Sequence, residues 1–87
     1  MTIAWTQNGW SDYEYWQGED RHTLRRINSL IKDIIRNGNM SGIGKPEPLQ
    51  YDLHGFYSRR VDDTHRLIYI VEDDTLTILA CRYHYGR

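Results

Sequence analysis

The 87-residue sequence has one cysteine, Cys81, so a disulfide framework is excluded, and no Cys/His cluster supplies the four ligands of a structural zinc. Its two prolines, Pro46 and Pro48, sit in one short segment, and the chain has no repeats, low-complexity tracts or interdomain linkers. Apolar runs are only a handful of residues long, far short of the roughly 20 that span a bilayer. The opening Met1-Thr2-Ile3-Ala4-Trp5-Thr6-Gln7 has neither the basic patch nor the apolar stretch of a signal peptide. A cytoplasmic domain is expected. An excess of charge is also missing, since the formal net charge is -1. What the chain does have is 3 Trp, 7 Tyr and 1 Phe, enough apolar surface to argue against disorder. The length fits one small domain over residues 1–87, because chains divide only at roughly 250–300 residues.

The balanced total hides an asymmetry. Asp12, Glu14, Glu19 and Asp20 make the first 20 residues purely acidic, whereas residues 21–61 hold 8 bases against 3 acids. Nine of the 11 bases are arginine, the side chain suited to forked recognition of phosphate. The middle of the chain therefore has room for an anionic partner that the net charge does not announce.

Ile3-Ala4-Trp5 reads as a short strand. Thr6 or Asn8 then offers an N-cap, and Trp10, Tyr13 and Trp16 recur at the spacing of one helix face before Gly18 closes the segment. Asp20 can cap a second helix, in which Leu24, Ile27, Leu30, Ile31, Ile34 and Ile35 follow the 3.6 period up to Gly38. An αα-hairpin joined by two or three residues is the economical arrangement. Asn39 to Pro48 reads as a loop. Strands are predicted at Leu49 to Leu53, Phe56 to Val61, His65 to Val71 and Thr75 to Tyr85, with turns at His54-Gly55, Asp62-Asp63-Thr64 and Glu72-Asp73-Asp74. Such short connections require antiparallel neighbours. The predicted class is α+β: an N-terminal strand and a helix pair packed on an antiparallel sheet of four to five strands.

Four groups of residues could carry chemistry. Arg21, Arg25, Lys32 and Arg36 form a basic stripe beside the core face of the second helix, either a solvated flank or a contact for an anionic polymer. Glu47 lies between two prolines that restrict its backbone, and is either an ordinary acid on a stiff loop or a preorganised base. Arg59 and Arg60 are consecutive and point to opposite faces of a strand, and Arg66 lies inside the next one. Arg66 is then either salt-bridged to Asp62, Asp63 or Glu47, or part of an anion site. In Arg82-Tyr83-His84-Tyr85, strand alternation would put Arg82 and His84 on one face. Cys81 and His84 have opposite parity, so a Cys–His nucleophile pair is not expected, and His84 is either structural or a proton donor. A carboxylate, several arginines and a histidine suit RNA cleavage, in which the substrate supplies its own 2′-hydroxyl nucleophile. DNA, lacking that hydroxyl, would be spared.

The blocks Gly44-Lys45-Pro46-Glu47-Pro48-Leu49, Ser58-Arg59-Arg60, His65-Arg66-Leu67 and Ala80-Cys81-Arg82-Tyr83-His84-Tyr85 resemble, in order and spacing, the YoeB toxins of the RelE/ParE superfamily. Trp10, Asp12-Tyr13, Tyr15-Trp16-Gln17, Ile27-Asn28 and Leu30-Ile31-Lys32-Asp33 extend the likeness nearly end to end. The resemblance implies a small barnase-like fold and a ribosome-dependent mRNA interferase that cuts the codon in the A site. It assigns the general base to Glu47, the phosphate-stabilising arginine to Arg66, the general acid to His84, its neighbour to Tyr85 and a phosphate contact to Arg60. Lys45 and Arg59 rank lower as substrate contacts. No cofactor or metal is called for.

Two departures from the family pattern stand out. Gln50 replaces a substrate-holding lysine, and Gly86 and Arg87 follow the tyrosine at which well-known members end. The resemblance also implies a YefM-like antitoxin and a homodimer, for which Trp5 and Trp10 are candidate apolar contacts. The rival expectation is a non-catalytic toxin of the same fold that occludes the A site or poisons gyrase as ParE toxins do.

Overall fold

The computed structural model describes residues 1–83. Its elements are β1 (Thr2–Trp5), α1 (Gln7–Glu19), α2 (Arg21–Asn37), β2 (Glu47–Pro48), a 3-10 turn (Tyr51–Leu53), β3 (Tyr57–Arg60), β4 (Arg66–Glu72) and β5 (Thr75–Ala80). The sheet order is β1-β5-β4-β3-β2. Strands β2 to β5 are antiparallel neighbours, and β1 joins β5 in parallel, with Ile3 opposite Leu76. The class is α+β, as predicted, with the N-terminal strand completing a mixed sheet.

The helix pair is tighter than expected. Thr6 caps α1 by accepting the Gly9 amide, but Gly18 does not end the helix, which runs on to Glu19. A glycine inside a helix costs only about 1 kcal/mol. The break comes at Asp20, where the backbone turns extended. Its carboxylate accepts the Thr23 hydroxyl and the amides of Thr23 and His22, which caps α2 and holds the Asp20 pKa below the ordinary carboxylate value. One residue therefore joins the two helices.

Along α2, Ile27, Leu30, Ile31 and Ile34 are buried against Leu67, Tyr69, Leu76 and Ile78 of the sheet. Ile35, predicted on that face, lies at its edge and is exposed. α1 approaches β5 so closely that a Cβ on Gly9 would stand 2.3 Å from the Ile78 carbonyl oxygen. Only glycine fits there.

Residues 38–46 have no regular structure, yet they are held by one side chain. Arg59 of β3 is fully buried and spends all five of its N–H donors. Nε donates to the Tyr69 hydroxyl, Nη1 to Asp33 of α2 and the Ile43 carbonyl, and Nη2 to the carbonyls of Gly38 and Ser41. Asn39 adds two bonds to the backbone of Val71. Gly44 packs against Leu30 and the Arg59 Cβ with a positive φ of 82°. Arg59, expected as a substrate contact, is thus committed to the interior, because a buried guanidinium must satisfy every donor.

Removing it should be costly. Arg59→Met is expected to lower unfolding free energy by about 3–5 kcal/mol, as for other broken buried ion pairs, measured by urea denaturation. Loss of less than about 1 kcal/mol would contradict the role given to this side chain. The acid limb supplies a second test. The Ile43 amide, and after it Arg59, hold the Asp33 carboxyl below its ordinary 3.8, although partial burial opposes them. A depressed folded-state value means that the unfolded chain binds the proton first. The contribution is therefore complete above about pH 4 and is lost as the pH falls below it. Asp33→Asn should flatten the fall in stability below that pH, and an acid limb as steep as wild type would count against it.

Candidate active site

The register of β2, β3 and β4 decides which polar side chains meet. Glu47 pairs with Ser58, which pairs with Ile68, and Arg60 pairs with Arg66. Directly opposed residues share a face, so these residues occupy the side of the sheet away from the helices. Arg59, Leu67 and Tyr69 take the other side and join the core. Arg60 and Arg66 are like charges set directly opposite one another, an arrangement that destabilises a sheet unless an anion answers it.

Each of the three reaches its place by a different route. Glu47 is exposed at the sheet edge, in the short strand that follows the loop held by Arg59. Arg60 is exposed, its amide donates to the Gly44 carbonyl at 2.7 Å, and its carbonyl accepts from Arg26 of α2. Arg66 is largely buried, and its Nη1 donates to the carbonyls of Asp62 (2.8 Å) and His65 (3.1 Å). Backbone carbonyls steer this guanidinium without neutralising it.

Lys45, exposed with a φ of 51°, stands in the chain between the Gly44 contact and Glu47. Gln50 borders, with Glu47, Pro48 and Tyr51, a concavity of about 480 Å³. The strand expected over Leu49 to Leu53 is replaced by the 3-10 turn. Pairing with the next strand ends at the bond from the Leu49 amide to the Phe56 carbonyl, and Tyr51 adopts a φ of 57°. Internal bonds of the turn, from Leu53 to Gln50 and from His54 to Tyr51, then satisfy the backbone without a partner strand.

The last strand is also shorter than predicted. A bulge sets Ile78 against Tyr69 but Ala80 against Ile68, leaving Leu79 as the extra residue. This reverses the face alternation, puts Cys81 in the core, and ends the strand at Ala80. Arg82 is therefore not on a strand, and the face it was expected to share with His84 does not extend to it. His84 and Tyr85 lie outside the described residues. Burial, and after it the charge of Asp12, pushes the Cys81 thiol up to about 12, so it is no nucleophile at neutral pH.

Arg21, Arg25, Lys32 and Arg36 are all exposed along α2. Arg25 and Arg26 line, with His22, Thr23, Val61 and Asp62, a groove of about 520 Å³ beside the turn between β3 and β4. Arg26, which ties α2 to Arg60, was missed in the sequence. Its signal was its position, one step from the basic stripe towards the core face. Of the two candidate apolar contacts, Trp10 is exposed, whereas Trp5 is half-buried between Trp10 and Tyr13. Among the described residues no group of His, Cys, Asp and Glu side chains could hold a metal ion, and no helix is long and apolar enough to cross a membrane.

This two-helix, five-strand architecture, with arginines on the sheet face away from the helices, is that of a small bacterial toxin domain. The family profile described as "YoeB-like toxin of bacterial type II toxin-antitoxin system" matches residues 5–85. Toxin YoeB of Escherichia coli K12 is 52% identical over 85 residues, covering 98% of this chain and 100% of its own. The YoeB/ParE toxin from Agrobacterium tumefaciens superposes with a TM-score of 0.93 at 41% identity, over 98% of this chain and 100% of its own. The YoeB dimer from Staphylococcus aureus gives 0.92 at 45%, and a heterotetrameric YoeB-YefM complex from the same organism gives 0.91 at 45%; each match covers 98% of both chains. The chain belongs to the YoeB-like toxin family.

Proposed function

We propose that this toxin is a ribosome-dependent endoribonuclease that cuts mRNA in the A site. The observation that carries the reading is the cross-strand Arg60–Arg66 pair on the sheet face away from the helices, the face that also carries Glu47. Glu47 takes the proton from a substrate 2′-hydroxyl, whose oxygen attacks the adjacent phosphorus. Arg66 stabilises the charge of the phosphorane-like transition state, with Arg60 on the same phosphate. His84 protonates the departing 5′-oxygen, with Tyr85 beside it, leaving a 2′,3′-cyclic phosphate and a 5′-hydroxyl end. Lys45 and Gln50 contact the flanking nucleotides, Gln50 with one charge fewer than the lysine usual in the family.

A toxin of net charge -1 attracts free RNA poorly at long range, but the A site presents the strand to it. The exposed stripe Arg21, Arg25, Lys32 and Arg36 then meets ribosomal RNA. The same reading makes residues 1–87 one cytoplasmic toxin domain that pairs with itself and with a YefM-like antitoxin, the assemblies seen for the Staphylococcus aureus relative.

Toeprinting and end-labelling on programmed ribosomes test the chemistry. Wild type should produce new 5′-hydroxyl ends. Glu47→Ala and His84→Gln should each cut about 10²–10⁴-fold more slowly while still binding the ribosome. A translation block by wild type without new ends would favour occlusion of the A site, and either variant cutting normally would remove that residue from the scheme. Charge reversal of Arg25 and Lys32 should weaken ribosome association and flatten its dependence on salt. Unchanged association across salt concentrations would remove the stripe.

A further inference from the structure

The segment that follows β5 is held far more firmly than the end of a strand needs to be. Asp12 and Trp16 lie one helical turn apart on α1 and grip the same residue. Asp12 Oδ2 accepts the Cys81 amide at 3.0 Å, and the Trp16 indole donates to the Cys81 carbonyl at 2.8 Å. Two residues on, the Tyr83 amide donates to His65 Nδ1 at 2.6 Å, and the Tyr83 carbonyl accepts the Arg66 amide at 3.0 Å. The His65 ring lies edge-on to Trp16, with centroids 4.8 Å apart, and 5.7 Å from the Tyr83 ring. Between these anchors the Arg82 guanidinium stacks over Tyr15 at 3.5 Å. Every N–H and C=O of Cys81 and Tyr83 is thereby bonded.

Tyr83 has a φ of 64°, a left-handed conformation rare for a bulky residue. Such a backbone persists only where its surroundings over-determine it, and these cluster where the chain must be re-aimed. No core contact asks for the turn, because Tyr83 is half exposed. It lies beside Arg66, and the next residue in the sequence is His84.

We infer that Asp12, Trp16 and His65 form a clamp whose task is to fix the backbone at Cys81–Tyr83 and so deliver His84 to the scissile phosphate. This rests on the endoribonuclease reading above. His65 is a positioning residue in it: it touches neither substrate nor reacting atoms, and acts through the Tyr83 amide. The bond requires an unprotonated Nδ1, which leaves the imidazole proton on Nε2.

Two substitutions separate acceptor from ring. His65→Phe keeps an aromatic ring against Trp16 and loses the acceptor. His65→Asn loses the ring but can set a carbonyl oxygen where Nδ1 stood. In His65→Phe, amide exchange at Tyr83 should speed up about tenfold or more, with the global melting temperature nearly unchanged. Its kcat on programmed ribosomes should fall about 10–100-fold at constant KM, the mark of a misplaced proton donor. His65→Asn should recover most of both. Trp16→Phe, which removes the indole donor to the Cys81 carbonyl and also part of a buried ring, should lower kcat in the same way, with its melting temperature read alongside to separate positioning from folding. Wild-type kcat in His65→Phe, or no recovery in His65→Asn, would overturn the clamp. Failure of the wild-type protein to cut at all would instead overturn the nuclease reading, whatever the variants do.

Discussion

The architecture turns on one buried guanidinium. Arg59 sits where β3, α2 and the connection between α2 and β2 meet, and it has a carboxylate, a phenol and three carbonyls as partners. A charge in that position cannot be left half-satisfied, so the Gly-rich connection has one good arrangement rather than many. The connection leads straight into Lys45 and Glu47. An interaction inside the protein therefore determines where a carboxylate on its surface begins. The neighbouring arginine is placed the opposite way: Arg60 is exposed on the other face of the strand.

The sheet divides the molecule into two chemical environments. Its helix side is an apolar core in which, among the described residues, Arg59 is the buried charged side chain. The side away from the helices carries Glu47, Arg60 and Arg66 within three paired rows. Holding two guanidiniums opposite each other costs stability. Arg66 is the more restrained of the two, because carbonyls from the preceding turn fix its orientation before any ligand arrives.

Much of the fold was legible in the sequence, and the exceptions have physical causes. The 3.6-residue period of α2, the Asp20 cap and the three acidic or His-Gly turns gave the helix pair and the meander correctly. Gly18 misled because tertiary packing carries a helix through a single poor residue. The strand at Leu49 to Leu53 failed because Tyr51 takes a left-handed conformation that apolar pattern does not reveal. The bulge at Leu79 is invisible to alternation, and it moved Cys81 from a strand face into the core. At the site, the braced Glu47 and the strand arginines could be picked out as candidates. Their roles came from the likeness to known toxins, and the division of labour between Arg59 and Arg60 needed the surrounding loop. Asp12, Trp16 and His65 were read as an acid, a helix-face aromatic and the start of a strand, not as a group, because a side chain that serves another residue's backbone has no spacing of its own.

The parallel pairing of β1 with β5 joins the second residue of the chain to the seventy-fifth. Thr6 and Asn8 then bond the carbonyl of Leu79, and Gly9 rests on that of Ile78. During synthesis, the strand and helix made first have no template to settle on until nearly everything else has emerged. A nascent chain stopped at the β3–β4 turn holds Glu47 and Arg60 but lacks Arg66 and the sheet centre on which α1 docks. The topology works as a delay: the growing polypeptide cannot complete its sheet, or seat its first strand and helix, until β5 has been made.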